Sequence, residues 1–229
     1  MSDLVRYSVI ETKNKREIVL LQGLGCRYKN CSFCDYYLDV SDDMENINLS
    51  ALSCVSGKYG ILEIINSGSF CELTPSTFEV IKKVVYDKKI HTLIFECHYL
   101  YRDEIVNLKE LFRDFKIKIK LGLESFDYNL RENVMKKGIK EDSPQIIAKD
   151  FDEANFLIGI KGQTKQMILN DILLGLRYFD RICVNVMCDN SKLKADLDVI
   201  RMFCSEIYPN YKDNERIDFL LDNTDFGVG

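Results

Sequence analysis

The chain has 229 residues, 46% of them hydrophobic and 29% charged, with a formal net charge of −5 and an isoelectric point near 5.2. These totals describe a globular, water-soluble chain of one domain or at most two, and their acidic balance makes direct nucleic-acid binding an unfavoured function. No apolar run approaches the roughly 20 residues of a membrane span and Met1–Ser2–Asp3 opens no secretory signal, so a cytoplasmic protein without membrane contact is expected.

Val5–Thr12 and Arg16–Gln22, parted by Lys13–Asn14–Lys15, read as a hairpin or as two successive strands. Behind them Cys26, Cys31 and Cys34 are spaced C-x4-C-x2-C, after Gly23 and Gly25, which let the backbone turn tightly at a strand end. Nine cysteines in a reducing compartment point to metal binding rather than to a disulfide framework. Three thiolates are one short of the set that closes a structural zinc or fully ligates an iron–sulfur cluster. A fourth ligand, with Cys71 a candidate, would make a closed structural site. Without one, a metal corner stays open for a small ligand.

Asp39–Asn48 is acidic and unpatterned and reads as a surface connection, with a short helix over Ser50–Ser56. Gly60–Asn66 is a buried strand stopped by Ser67–Gly68–Ser69, and Thr74–Pro75–Ser76–Thr77 opens the helix Phe78–Tyr86. The strand His91–Cys97 precedes the helix Arg102–Phe115, and the strand Lys116–Leu123 precedes the helix Phe126–Lys137, ended by Gly138. Pro144–Phe151 is a further short helix. Asn155–Ile160 is a strand broken by Gly162, followed by the helix Thr164–Phe179. Arg181–Met187, Leu193–Ile207 and Arg216–Leu221 are strand, helix and strand, before a short polar tail. Cys54, Cys97, Cys183 and Cys204 read as small core residues.

Strand and helix alternate about six times with short connections, which implies an α/β fold with a parallel sheet and helices outside. Eight such units usually take about 250 residues, so an open partial (β/α)6 TIM-like barrel fits better. One domain over residues 1–229 is expected, with the barrel core at about 16–207 and short terminal strand extensions. Ligands should sit at the carboxyl ends of the strands.

The three-cysteine loop after the first barrel strand, with Phe33 just before the last cysteine, resembles the radical S-adenosylmethionine superfamily. The usual spacing there is C-x3-C-x2-C, and this chain departs from it in the first gap. Asn66–Ser67–Gly68–Ser69–Phe70 is similar to the family's glycine-containing motif that contacts the methionine amino group. Gly122–Leu123–Glu124–Ser125, Arg131 and Lys137–Gly138 are similar to its fourth strand and following helix, whose polar groups contact the ribose and the methionine carboxylate. Gly159–Ile160–Lys161–Gly162–Gln163–Thr164 looks like the segment that lies against adenine. The resemblance implies a 4Fe–4S cluster on Cys26, Cys31 and Cys34 with one iron free to chelate S-adenosylmethionine. Cofactor contacts would come from Phe33, Asn66, Ser67, Gly68, Ser69, Glu124, Arg131 and Ile160. It also implies reductive cleavage of the sulfonium, hydrogen abstraction from a substrate inside the barrel, and an electron donor such as flavodoxin or ferredoxin.

Groups at the ends of the later strands should face the substrate: Glu96, His98, Asn185, Asp189 and Asp222, beside Asn223 and Asp225. This rim is rich in carboxylates and amides and poor in cations, which disfavours an anionic substrate and suits a guanine-like edge. Within the superfamily, the short chain and bare barrel resemble a lyase acting on a free 7-deazaguanine base, with a carbon–nitrogen bond broken. No acid–base residue stands out. Two other readings stand beside this one: a radical enzyme modifying another small molecule or a tRNA base, which would need a basic groove, and a non-enzymatic metal-binding module.

Overall fold

The computed structural model describes residues 4–229. The strands are hydrogen-bonded in chain order, β1 to β8. The chain groups into two compact units, one built from residues up to Arg27, Tyr36–Ile119 and Thr224–Gly229, the other from Tyr28–Asp35 and Lys120–Asn223.

In the first unit β1 (Tyr7–Ile10) and β2 (Arg16–Leu21) form the antiparallel hairpin that the pattern allowed, with Tyr7 opposite Val19 and Asn14 at φ 53° in the turn. β2 then runs parallel to β3 (Ile61–Asn66), and β3 to β4 (Thr92–Cys97). Ile18, Val19, Leu62, Ile64, Leu93 and Phe95 are buried, as expected of parallel strands covered on both faces. The helix α2 (Pro75–Asp87) starts where its signals place it. Thr74 caps it by accepting from Thr77 N, Pro75 stands in the first turn, and Ile81 and Val85 face inward.

Three expectations are corrected in this unit. The helix α1 (Met44–Ser53) begins inside the segment read as a connection, because Asn48 is buried and clasps Gln22, accepting from its N–H at 2.7 Å and donating to its carbonyl at 2.8 Å. The helix expected at Arg102–Phe115 is instead a 3-10 segment, Tyr99–Glu104, kinked at Tyr101, followed by α3 (Ile105–Leu111). The tail is not simply polar: Val228 packs on Ile10 and Ile18, and Val5 and Gly229 exchange backbone hydrogen bonds of 3.3 and 2.9 Å.

β5 (Lys116–Glu124) begins in the first unit and ends in the second, where it pairs in parallel with β6 (Glu153–Ile158), β6 with β7 (Arg181–Val186), and β7 with β8 (Ile217–Leu220). α4 (Pro144–Ala148) and α5 (Lys165–Tyr178) match their expected positions, with Thr164 capping α5. Phe126–Lys137 is not an ordinary helix; its regular part is the π-helical Asn129–Val134. Leu193–Ile207 divides into α6 (Leu197–Met202) and a π-helical Phe203–Ile207, and α7 (Tyr208–Tyr211) follows.

The succession is that of an α/β partial (β/α)6 barrel with one antiparallel strand, β1. Of the cysteines read as core, Cys97 and Cys183 are buried and Cys204 is half-buried. Cys54 is exposed, because it sits just past the end of α1. Among the described residues no helix is long and apolar enough to cross a membrane.

Candidate active site

In the first unit the chain leaves β2 at Leu21 and turns through Gly25, at φ 83°, into the segment that carries Cys26. This turn is fastened to the loop after β3 by one residue, Glu72. Its carbonyl accepts from Leu24 N at 2.8 Å and its carboxylate from Arg27 N at 2.9 Å and from Ser69 N. Glu72 is buried, yet it carries no motif role in the sequence reading. The Ser69-x-x-Glu72 spacing of a capping box was its only signal.

Gly68 is required by space. A Cβ there would stand 2.1 Å from Glu72 Oε2 and 3.1 Å from Cys26 Cα. Asn66 Nδ2 donates to Ser69 O at 3.0 Å, and Ser69 Oγ accepts from His98 N at 2.9 Å. Ser67 Oγ is buried without a hydrogen-bond partner among the described residues. An orphaned buried hydroxyl costs free energy unless a ligand satisfies it.

In the second unit Cys31, Phe33 and Cys34 lie on a segment anchored at several points. Lys29 takes φ 52°, a left-handed turn within the longer first gap of the cysteine motif. Tyr28 Oη donates to Lys136 O at 2.7 Å, and Ser32 donates from N to Met135 O at 3.0 Å and from Oγ to Val134 O at 2.8 Å. Asp35 accepts from the N–H and hydroxyl of Ser191 at 2.8 and 3.0 Å. Phe33 packs against Leu130, Met135, Leu157, Ile160 and Met187. The expected adenine-side segment is a tight turn made by the buried Gln163, which accepts from Gly159 N at 3.0 Å and donates to Leu157 O at 2.9 Å.

At the end of β5 a register shift accompanies Glu124, which holds φ 71° and accepts from Lys137 Nζ at 2.9 Å. Lys137 lies over the Phe33 ring, 5.4 Å from its centroid. Burial alone would lower the Lys137 pKa. The Glu124 carboxylate and the Cys31 and Cys34 thiolates outweigh it, and the ammonium is held well above its ordinary range. Asp171 of α5 braces the same turn, accepting from Ser125 Oγ at 2.8 Å and Phe126 N at 2.7 Å.

Arg131 is fully buried, and its guanidinium donates to the carbonyls of Ser125, Phe126, Ile139 and Glu141 and to Glu132. It holds the turn together, with its donors already spent on the chain.

The substrate candidates divide between the units. Glu96 and His98 end β4 in the first, both half-buried, and His98 Nδ1 accepts from Leu100 N at 3.2 Å as a cap. In the second, Asn185 is half-buried on β7 and accepts from Cys183 Sγ at 3.1 Å, while Asp222 is exposed just past β8. Asp189 is exposed; it accepts from Ala195 N at 2.9 Å and pairs with Lys194 at 3.2 Å, and these partners hold its carboxyl below the usual range.

Among the described residues no three His, Cys, Asp or Glu side chains already stand at metal-binding separation. The donor chemistry nonetheless fits an iron–sulfur cluster. Cys26, Cys31 and Cys34 form no disulfide and are half-buried, the thiol donor set that an iron–sulfur cluster takes. Ser67 and the Gly68 cradle fit a polar ligand beside the Cys26 segment.

No protein-family model matches the chain, and no curated protein matches it. Among solved structures it is similar to the queuine lyase from Clostridium spiroforme bound to SAM and queuine. That match has 43% identity and a TM-score of 0.94, over 99% of this chain and 100% of that one. Streptococcus suis SuiB bound to S-adenosylmethionine aligns at 17% identity and TM-score 0.56, over 89% of this chain and 46% of SuiB. Methylornithine synthase PylB aligns at 11% identity and TM-score 0.53, over 88% of this chain and 63% of that one. The last two likenesses concern the fold alone.

Proposed function

Because this chain belongs to the queuine lyase family of radical S-adenosylmethionine enzymes, we propose that it cleaves the carbon–nitrogen bond of free queuine and releases 7-aminomethyl-7-deazaguanine. The observation that carries the reading is likeness over the full length of both chains at 43% identity. Its cofactors are S-adenosylmethionine and a 4Fe–4S cluster, and together they supply, when bound, the hydrogen-abstracting chemistry.

In this reading Cys26, Cys31 and Cys34 hold the cluster. Ser67 offers its unsatisfied hydroxyl to S-adenosylmethionine, with Asn66 and Ser69 shaping the loop and Gly68 leaving the room. Glu124 and Lys137 provide the buried polar pair for the ribose side, while Phe33 and Ile160 exclude water from it. Arg131 supports the site by organising the turn after β5. Glu96, Asn185 and Asp222 accept hydrogen bonds from the ring N–H and amino group of the deazaguanine edge, and His98 and Asp189 shape the loops around them. The proposal takes the whole chain, residues 1–229, as one catalytic domain. A low-potential electron donor such as flavodoxin or ferredoxin and a cytoplasmic setting complete the proposal.

The test is anaerobic reconstitution with iron and sulfide, then S-adenosylmethionine, a chemical reductant and queuine, with products followed by mass spectrometry. Joint appearance of 5′-deoxyadenosine and 7-aminomethyl-7-deazaguanine is expected. 5′-Deoxyadenosine with untouched queuine would remove the substrate assignment and leave the radical chemistry. Absence of both from a chain carrying its cluster would remove the enzyme reading.

A further inference from the structure

We propose that Lys137 sets the reduction potential of the cluster, acting as a buried fixed charge beside the Cys31–Cys34 segment without bonding to the metal. The inference rests on the cluster assignment above. Three observations place the charge. The ammonium donates to Glu124 at 2.9 Å and lies over the face of Phe33, the residue between Ser32 and Cys34. A Cβ on Gly122 would stand 2.8 Å from Lys137 Nζ, so the glycine leaves the room the ammonium occupies. The turn that carries the lysine is tied to the cysteine segment itself, because Tyr28 donates to Lys136 O and its ring packs where Gly138 lacks a side chain.

The direction of the effect follows from charge. Reduction transfers one electron from an external low-potential donor to the oxidised cluster, making the cluster and its thiolates one unit more negative. A buried cation favours that product, and burial of Lys137 weakens the screening by solvent. Glu124 acts with the opposite sign on the same centre.

The experiment is a redox titration of the reconstituted chain, read by electron paramagnetic resonance without S-adenosylmethionine. It compares wild type with Lys137→Met, Lys137→Arg and Glu124→Gln. Lys137→Met should lower the reduced-to-oxidised ratio at a fixed potential about tenfold, a shift of about 59 mV to more negative potential. Lys137→Arg should stay near wild type, and Glu124→Gln should move the other way. If Lys137→Met fails to assemble, the upward shift of Glu124→Gln and the retained potential of Lys137→Arg decide the matter. Unchanged potentials in both neutral variants would overturn the inference, as would shifts of the same sign, which report disturbed packing. Loss of S-adenosylmethionine affinity in a separate equilibrium binding measurement, at unchanged potential, would overturn it in favour of a cofactor-binding role. Failure of wild type to hold a cluster through Cys26, Cys31 and Cys34 would instead sink the assignment on which the inference rests.

Discussion

Ser67 buries a hydroxyl that has no hydrogen-bond partner among the described residues, and that imbalance separates ligand binding from stability at a single atom. Ser67→Ala removes the orphan, so stability should hold or rise by up to about 1 kcal/mol. If the hydroxyl contacts the charged part of S-adenosylmethionine, the lost hydrogen bond weakens binding by roughly 1.5–3 kcal/mol, about ten- to a hundredfold in Kd. Thermal unfolding and equilibrium binding on the same preparation test both halves, and unchanged affinity would remove Ser67 from the cofactor site. Gly68→Ala should fail differently. Its new methyl would meet the Glu72 carboxylate at 2.1 Å, so both affinity and cluster loading should drop, read by the iron content of the reconstituted chain.

The turn after β5 shows what an element adds to its residues. Glu124 sits at φ 71° and Arg131 is buried among carbonyls, and Asp171 reaches across from α5 to hold Ser125 and Phe126. The strand and the existence of a helical segment were legible, because both follow from the spacing of apolar residues. The π-helical form was not, since it depends on where Arg131 finds its acceptors and not on hydrophobic period. Asp171 was hidden for a related reason: one carboxylate in an amphipathic helix reads as solvated.

Burial pushes the Asp171 carboxyl up to about 7. The Phe126 N–H and the Ser125 hydroxyl oppose that rise, Asp127 adds to it and Arg131 also opposes it. The native state therefore binds a proton more tightly than the unfolded chain, and stability conferred by this group falls as pH rises from about 4 to about 7. The slope is at most about 1.4 kcal/mol per pH unit. Asp171→Asn should flatten that fall in chemical denaturation series at pH 4.5, 6 and 7.5, relative to wild type. Parallel curves for the two proteins would mean that Asp171 remains ionised throughout, as its two donors would favour.

In each unit a buried ion pair or network lies at or near strand starts, away from the strand ends that carry the candidate chemistry. In the first unit Arg16, at the start of β2, pairs with Glu63 in the core, and Glu17 accepts from the N–H groups of Ser56, Gly57 and Lys58. In the second unit Arg181, at the start of β7, donates to Glu153 of β6 at 2.5 Å and to Asp218 of β8 at 3.0 Å. Cys26, Ser67, Glu96 and Glu124 all lie at or beyond strand carboxyl ends, where parallel α/β architectures bind their ligands. The alternation of elements made that polarity legible. The ion network was not, since the pairing register that brings Glu153, Arg181 and Asp218 together follows only from the folded sheet. The network makes a prediction opposite in kind to that for Ser67. Arg181→Met leaves two buried carboxylates without their cation, which costs roughly 3–5 kcal/mol, a large share of an ordinary domain stability of about 5–15 kcal/mol. Chemical denaturation should show that loss, while S-adenosylmethionine affinity of the folded fraction stays within about twofold of wild type. Loss of affinity in step with stability would mean that the strand starts and the site do not act independently. Retained stability would mean that Lys120, 4.0 Å from Glu153, compensates for the missing guanidinium.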